Sequence, residues 1–209
     1  MKLNKIKEKL KETKEKRHKF NTICSMLYNF IWSIAKIIFG VFTFSYSFCI
    51  SGASTLLFGF SKKIYLKNYK ADDFETIKGK SITISILLIF IGILFSIYMA
   101  RLFFISNNQS YGLILSITIA LFSFVELGVA IYNISKAKKS NNLLLYVYRG
   151  CNLASSGFAI VHTQVALLAA QGTNGNLYNA LTGTIFGLFS VAIGAYQLYY
   201  INNKISWHN

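Results

Sequence analysis

Long apolar blocks separated by short polar breaks dominate this chain. Charged residues are absent from most of residues 21–60, 81–134 and 150–203, and about 20 mainly apolar residues suffice to cross a hydrocarbon core of about 30 Å. Dividing the chain at its polar breaks predicts six spans, at 21–42, 46–66, 81–105, 111–134, 147–169 and 178–201. The apolar runs are continuous rather than alternating with polar residues, which predicts helices and not the strands of a barrel. The expected fold is all-α: an integral membrane protein built as a six-transmembrane-helix bundle. Residues 1–20 form a basic amino-terminal segment, 21–202 the transmembrane domain and 203–209 a short tail.

Polar stretches between the spans refine this picture. "GVFTFSYSF" leaves little room between the first two apolar runs, so these should form a tight helical hairpin. Ser61 to Lys80 is expected to be the longest internal loop. It holds Asp72, Asp73 and Glu75 among lysines, a pattern that fits a solvated loop better than a paired-carboxylate metal site. Residues 1–19, "MKLNKIKEKLKETKEKRHK", have helix-forming composition with Leu3, Ile6 and Leu10 as a thin apolar face, as in a solvated or surface-lying basic helix. The chain contains no proline, so any broken helix of the kind that exposes backbone to an ion in many transporters would have to rest on glycine. Gly183 and Gly187 in "TGTIFG" make a GxxxG pair, read as a helix-packing face.

Charge then orients the bundle. The 209 residues hold 22 lysines and arginines against seven acids, a net charge of +15. Nineteen of those 22 fall in residues 1–20, 61–80 and 135–146 and at Lys204, all on one side of a six-span topology; the connections near 43–45, 106–110 and 170–177 have none. Loops rich in lysine and arginine stay in the cytoplasm. Both termini are therefore expected inside, in the plasma membrane, with anionic lipid headgroups as partners of the basic segment. A charge so distributed explains itself without nucleic acid. Nine basic and three acidic residues in the first 20, with no small-residue cleavage site after the first apolar run, do not make a secretory signal.

Chemistry-bearing residues are few. Cys24, Cys49 and Cys151 sit on different spans with no paired spacing, which suggests packing roles. Glu126 is the only acid within any span, about 12 Å from the inner end of the fourth helix at 1.5 Å per residue. Such a group needs a partner, and Arg149, at comparable depth on the fifth helix, is the first choice. That pair serves as a structural register or as a proton or cation relay. Lys36 should lie in the outer half of the first helix, where it snorkels outward or meets His162 and Gln164 in a polar cluster. His162 has no second donor at ligand spacing, so no metal site is expected. There is no Gly-rich phosphate loop, GxSxG elbow or HExxH, and no intramembrane carboxylate pair. Neither an enzyme nor a cofactor is expected.

The order of features resembles the membrane half of the cation diffusion facilitator family. "NFIWSIAKIIFGVFTFSYSFCISGASTLLFGF" is similar to its first helical hairpin, in which a lysine-bearing helix turns into the metal-binding second helix. "YRGCNLASSGFAIVHTQVALLAA" and "NALTGTIFGLFSVAIGAYQLYY" resemble its fifth and sixth helices. The resemblance implies zinc-type cations held by acids and histidines four residues apart on the second and fifth helices. Aligned from Lys36, those positions fall on Ser54 and Phe58, and on Asn152 and Ser156 or Leu153 and Gly157. None is an acid or a histidine, and a hydroxyl does not replace a carboxylate for such a dication. With Asn209 the last residue, the family's cytoplasmic domain is not expected either.

The resemblance therefore implies a degenerate transporter, pairing as a homodimer, that moves some other ion or small solute through a cavity at Ser54, Thr55, Asn152, Ser155 and Ser156. The alternative from another class is a non-transporting accessory or immunity-type membrane protein that acts through helix contacts. A third reading makes Glu126 the ion site of a channel or carrier of another fold.

Overall fold

The computed structural model describes residues 2–42, 46–69, 71, 73–105, 113–139, 142–173 and 175–205. Among them the secondary structure is entirely helical. The helices are α1 (Lys2–Phe42), α2 (Tyr46–Asn68), α3 (Phe74–Ala100, continued by a 3-10 turn at Arg101–Phe103), α4 (Leu113–Lys139), α5 (Leu143–Ala170) and α6 (Asn176–Ile205). Three of them, over Phe74–Phe103, Leu143–Ala170 and Asn176–Asn203, are long and apolar enough to cross a membrane.

The helices outrun the apolar runs that predict them. α1 continues without interruption from the basic segment into the apolar one, and its 41 residues extend about 60 Å, roughly twice a hydrocarbon core. The loop expected over Ser61–Lys80 shrinks to a turn after Asn68, because α2 runs on through Lys62, Lys63 and Lys67 and α3 begins at Phe74. The physical reason is that a lysine ends an apolar run without ending a helix, since lysine is a good helix former.

Asp73 marks the true boundary. Its carboxylate accepts from the backbone N–H of Thr76 at 3.0 Å and from the Thr76 hydroxyl at 2.6 Å, satisfying donors that the first turn of α3 leaves open. Asp73 and Glu75 are exposed as expected of a solvated segment, but they form the N-cap and first turn of α3 and not a loop. Asp72 lies outside the described residues. Asn142 caps α5 in the same way, accepting from Leu145 N–H at 2.9 Å. At the other end of α5, Gly172 takes φ +67°, the left-handed position after a helix that a side chain disfavours.

The helices pack chiefly as three pairs, α1 with α2, α3 with α6, and α4 with α5. Between helices in lipid, apolar side chains gain little by exchanging one hydrocarbon for another, so close backbone approach and hydrogen bonds supply the attraction. The α3–α6 pair is built on that principle. A Cβ placed on Gly187 would stand 2.8 Å from Ser96 N and 2.9 Å from the carbonyl oxygen of Gly92. The same surface joins Ser190 Oγ to Leu88 O at 3.3 Å. The GxxxG pair read from the sequence is indeed a packing face, with Gly183 set against Met99.

On α3 the buried residues Ile84, Leu88, Ile91 and Phe95 recur every three or four positions, while Ile86, Phe90, Ile93 and Ile97 on the opposite side are exposed. An outward stripe of large apolar side chains is what a bilayer solvates. Where α2, α3 and α5 meet, Phe158 lies flat on Phe95 with centroids 4.0 Å apart and tilts against Phe58 at 5.7 Å.

Candidate functional site

A polar cavity of about 340 Å³ lies between α1, α2, α4 and α5. α1 lines it with His18, Asn21, Thr22 and Ser25, and α2 contributes Lys62. Ala130 and Asn133 of α4 and Tyr148, Arg149 and Asn152 of α5 close the other side. Lys62 and Arg149 each stand six residues inside the adjacent end of their helix, so the cationic groups enter about 9 Å from that end of the bundle.

Helix spacing explains the arrangement. Phe58, Lys62 and Tyr65 fall on one face of α2 at intervals of four and three, and all three are buried. Lys62 is only 6 % exposed, and its ammonium donates to Ser25 Oγ at 2.6 Å. Tyr65 stacks on Tyr148 with centroids 4.2 Å apart and planes 9° from parallel, which fixes α2 against α5 beside the cavity. The guanidinium of Arg149 lies 5.5 Å from the centre of the Tyr148 ring.

The histidine at the cavity wall is constrained on both sides. Arg149 Nη2 is 3.4 Å from His18 Nδ1, and Tyr65 Oη is 2.9 Å from His18 Nε2. A guanidinium only donates, so Nδ1 must be the acceptor and the ring proton sits on Nε2, donating to the tyrosine oxygen. This is the neutral tautomer. Burial, then the charge of Arg149, holds the His18 pKa below its ordinary value of 6.5.

A polar line leaves the cavity along α1. Ser25, Asn29 and Ser33 follow one another at four-residue intervals, and Asn29 and Ser33 are buried. Asn29 Nδ2, and Ser54 Oγ on the neighbouring α2, are buried without a hydrogen-bond partner among the described residues. Buried polar atoms in that state are uncommon and costly.

Of the five residues expected to form a transport cavity, Asn152 lines the observed one. The others do not appear among its described walls. Ser54 is buried, Thr55 and Ser155 are half-buried, and Ser156 is turned onto its own helix, donating to Leu153 O at 2.8 Å. Arg149 does line the cavity, with His18 as its described hydrogen-bond partner. The expected Glu126–Arg149 pair and the Lys36–His162–Gln164 cluster cannot be drawn, because the side chains of Glu126 and Lys36 lie outside the described residues. His162 donates from Nδ1 to Phe158 O at 2.8 Å and stands beside Phe95.

Charge distribution alone assigns His18 and Lys62 to the solvated basic ends; the spacing of Lys62 from Phe58 and Tyr65 is the signal that it faces inward, and the four-residue recurrence of Ser25, Asn29 and Ser33 marks the polar side of α1. Among the described residues, no group of three or more histidine, cysteine or acidic side chains converges as a metal site would require. No family model, curated protein or solved structure matches the chain. What the fold itself defines is a class, that of helical proteins with apolar helices long enough to cross a membrane.

Proposed function

We propose that the chain is a six-span membrane protein of cation-efflux-like build, with both termini on the cytoplasmic side, that moves a small polar ion or solute without the zinc chemistry of that family. The supporting observation is the four-helix polar cavity continued by the buried Asn29 Nδ2 and Ser54 Oγ, which have no hydrogen-bond partner among the described residues. At the position aligned with a metal ligand, Phe58 packs on Phe158, and aromatic carbon offers a dication nothing to bind.

Two measurements test the reading. In a cysteine-free background, a membrane-impermeant maleimide added to intact cells should label Thr173→Cys and spare Thr13→Cys and Asn203→Cys. In proteoliposomes, gradients of potassium, chloride, phosphate and zinc should give flux for at least one ion other than zinc, and Asn152→Leu should abolish it. Labelling of either terminus from outside, or zinc as the sole ion moved, would refute the proposal.

A further inference from the structure

α1 outruns the helix it packs on. Backbone to backbone, it runs along α2 and along no other helix among the described residues. The two are antiparallel, with Lys62 opposite Ser25 and Tyr65 opposite His18, and α2 ends at Asn68, three residues beyond Tyr65. α1 is helical back to Lys2, so residues 2–14 continue past the end of α2 for about 20 Å. Most helical stability in proteins comes from packing of an apolar face, and this arm has no helix of its own chain alongside it among the described residues.

The register of the arm is that of a coiled coil. Leu3, Ile6 and Leu10, the only apolar residues in 2–14, fall at the a and d positions of a heptad repeat. Thr13, Arg17 and Phe20 continue the same phase, and all three are exposed. Charge is sorted around this seam. Every e and g position from residue 2 to 16 is lysine, namely Lys2, Lys7, Lys9, Lys14 and Lys16, whereas the acids Glu8, Glu12 and Glu15 stand at f, c and f on the far side. Solubility alone asks for no such sorting, since a charge serves it on any face.

We propose that residues 2–17 are a docking arm for an acidic amphipathic helix of another protein, which packs its apolar seam on Leu3, Ile6 and Leu10 and sets its own e and g acids against the lysines. The sorting of charge selects this occupant over two others. In a parallel pair of identical chains, Lys9 at g faces Lys14 at e of the second copy, and Arg17 faces Arg17 within the seam; like charges at these positions oppose pairing. The lipid surface is remote from the first heptad. With α1 entering the bilayer at residue 21, as proposed above, a straight helix carries Leu3 about 27 Å beyond that point, several Debye lengths at physiological salt. A helix with apolar a and d residues and glutamate or aspartate at e and g meets neither obstacle, and its charge steers it to the arm. The inference goes beyond the transport reading and rests on it only for where α1 enters the bilayer.

The test uses the full-length protein in phosphatidylcholine nanodiscs. The probe is a fluorescent peptide of three heptads with leucine at a and d and glutamate at e and g, and a matching peptide has lysine at e and g. Fluorescence anisotropy should show binding of the glutamate peptide alone, weaker at high salt. Leu10→Asn should weaken it by at least about tenfold, the loss of one packed leucine. Lys9→Glu with Lys14→Glu should exchange the preference, so that the lysine peptide binds. Lys5→Glu with Lys11→Glu makes the same change of net charge at positions c and b, away from the seam, and should leave the preference in place. The arm lies outside the packed bundle, so size-exclusion profiles should match the wild type for every variant. The proposal is overturned if the glutamate peptide does not bind, or if both lysine pairs have equal effects, which means attraction by net charge only. It is also overturned if, in a cysteine-free background, Leu10→Cys copies crosslink to each other at a rate the glutamate peptide does not lower, which puts a second copy on the seam. Contact quenching of a fluorophore at Leu3→Cys by headgroup-labelled phosphatidylglycerol, with release of the peptide, puts the membrane there and overturns it too. Absence of ion flux removes the transport reading and leaves peptide binding standing, whereas flux without peptide binding removes the docking arm alone.

Discussion

The side-chain amide of Gln197 fills the space that a side chain on Gly150 would need, the Nε2 atom lying directly in front of that glycine. Gln197 is 1 % exposed and ties three helices together. From α6 it donates to Val147 O on α5 at 3.2 Å and accepts from Ser85 Oγ on α3 at 3.2 Å. Glycine at 150 thus leaves room for a buried glutamine amide that is hydrogen-bonded through both its nitrogen and its oxygen.

Gly150→Ala is accordingly expected to displace the amide, breaking its bonds and overfilling the site, at a cost of about 1–3 kcal/mol. Gln197→Ala should cost a comparable amount, because it leaves a cavity and removes the partner of Val147 O, while the Ser85 hydroxyl keeps its bond to Ser81 O at 3.0 Å. In the double variant the alanine at 150 meets no amide, so the two costs should fall short of adding. Denaturation midpoints of the four proteins in detergent measure this. Strict additivity would show that the two residues do not compete for the same space.

The α3–α6 contact makes a second prediction through a contrast between glycines. At Gly187 an added Cβ meets Gly92 O and Ser96 N within 3 Å, whereas at Gly128 nothing among the described residues lies within 4 Å. Gly187→Ala should therefore push α3 and α6 apart and lower the yield of monodisperse protein. Gly128→Ala should be neutral or slightly favourable, because alanine is the better helix former. Size-exclusion profiles after a heat step distinguish the two outcomes, and equal behaviour of both variants would contradict the close approach.

These contacts also show how far the sequence could be read. Six apolar runs locate six helices, and three of these, over Phe74–Phe103, Leu143–Ala170 and Asn176–Asn203, are long and apolar enough to cross a membrane. Composition does not locate the ends. Lys62 belongs by charge to the basic segment 61–80, yet α2 runs past it to Asn68 and the side chain is buried. Arg149 and Asn152 were recognisable as polar residues at one depth of the fifth helix. His18 was not, because its role depends on Tyr65 and Arg149, which lie 47 and 131 residues away. Gln197 was hidden for the same reason: a glutamine near the end of an apolar run looks interfacial until Ser85 and Val147 are brought to it.

Acid should loosen the start of α3. Hydrogen bonds from the Thr76 side chain, and then its backbone, hold the Asp73 carboxyl below its ordinary pKa of 3.8. The folded state therefore favours the charged form. Asp73 contributes stability in full above its unfolded pKa, and that contribution is lost as pH falls through the lower folded value. Asp73→Asn retains a cap with no ionisation, so its denaturation midpoint should change less than that of the wild type on acidification below about pH 4. Thr76→Val removes the largest cause of the shift and should bring the Asp73 titration, followed by carboxyl NMR, back toward 3.8. An unchanged titration would mean that the hydroxyl contact is absent in solution.

His18 offers the sharpest pH test, because two distinct causes depress its pKa and they can be separated. Burial is the larger and the Arg149 charge the smaller. Arg149→Gln should therefore raise the His18 midpoint while leaving it below 6.5. Nitrogen-15 NMR of labelled histidine should show the Nε2–H tautomer at neutral pH, since Nδ1 faces a group that only donates. Because the folded pKa is depressed, the His18 contribution to stability is intact above 6.5 and lost as pH falls through the folded value. Protonation at Nδ1 would set an N–H against the guanidinium and displace one of the two from the cavity wall. A midpoint at or above 6.5 in the wild type, or an Nδ1–H tautomer, would mean that Arg149 does not donate to His18 and that the cavity is walled differently.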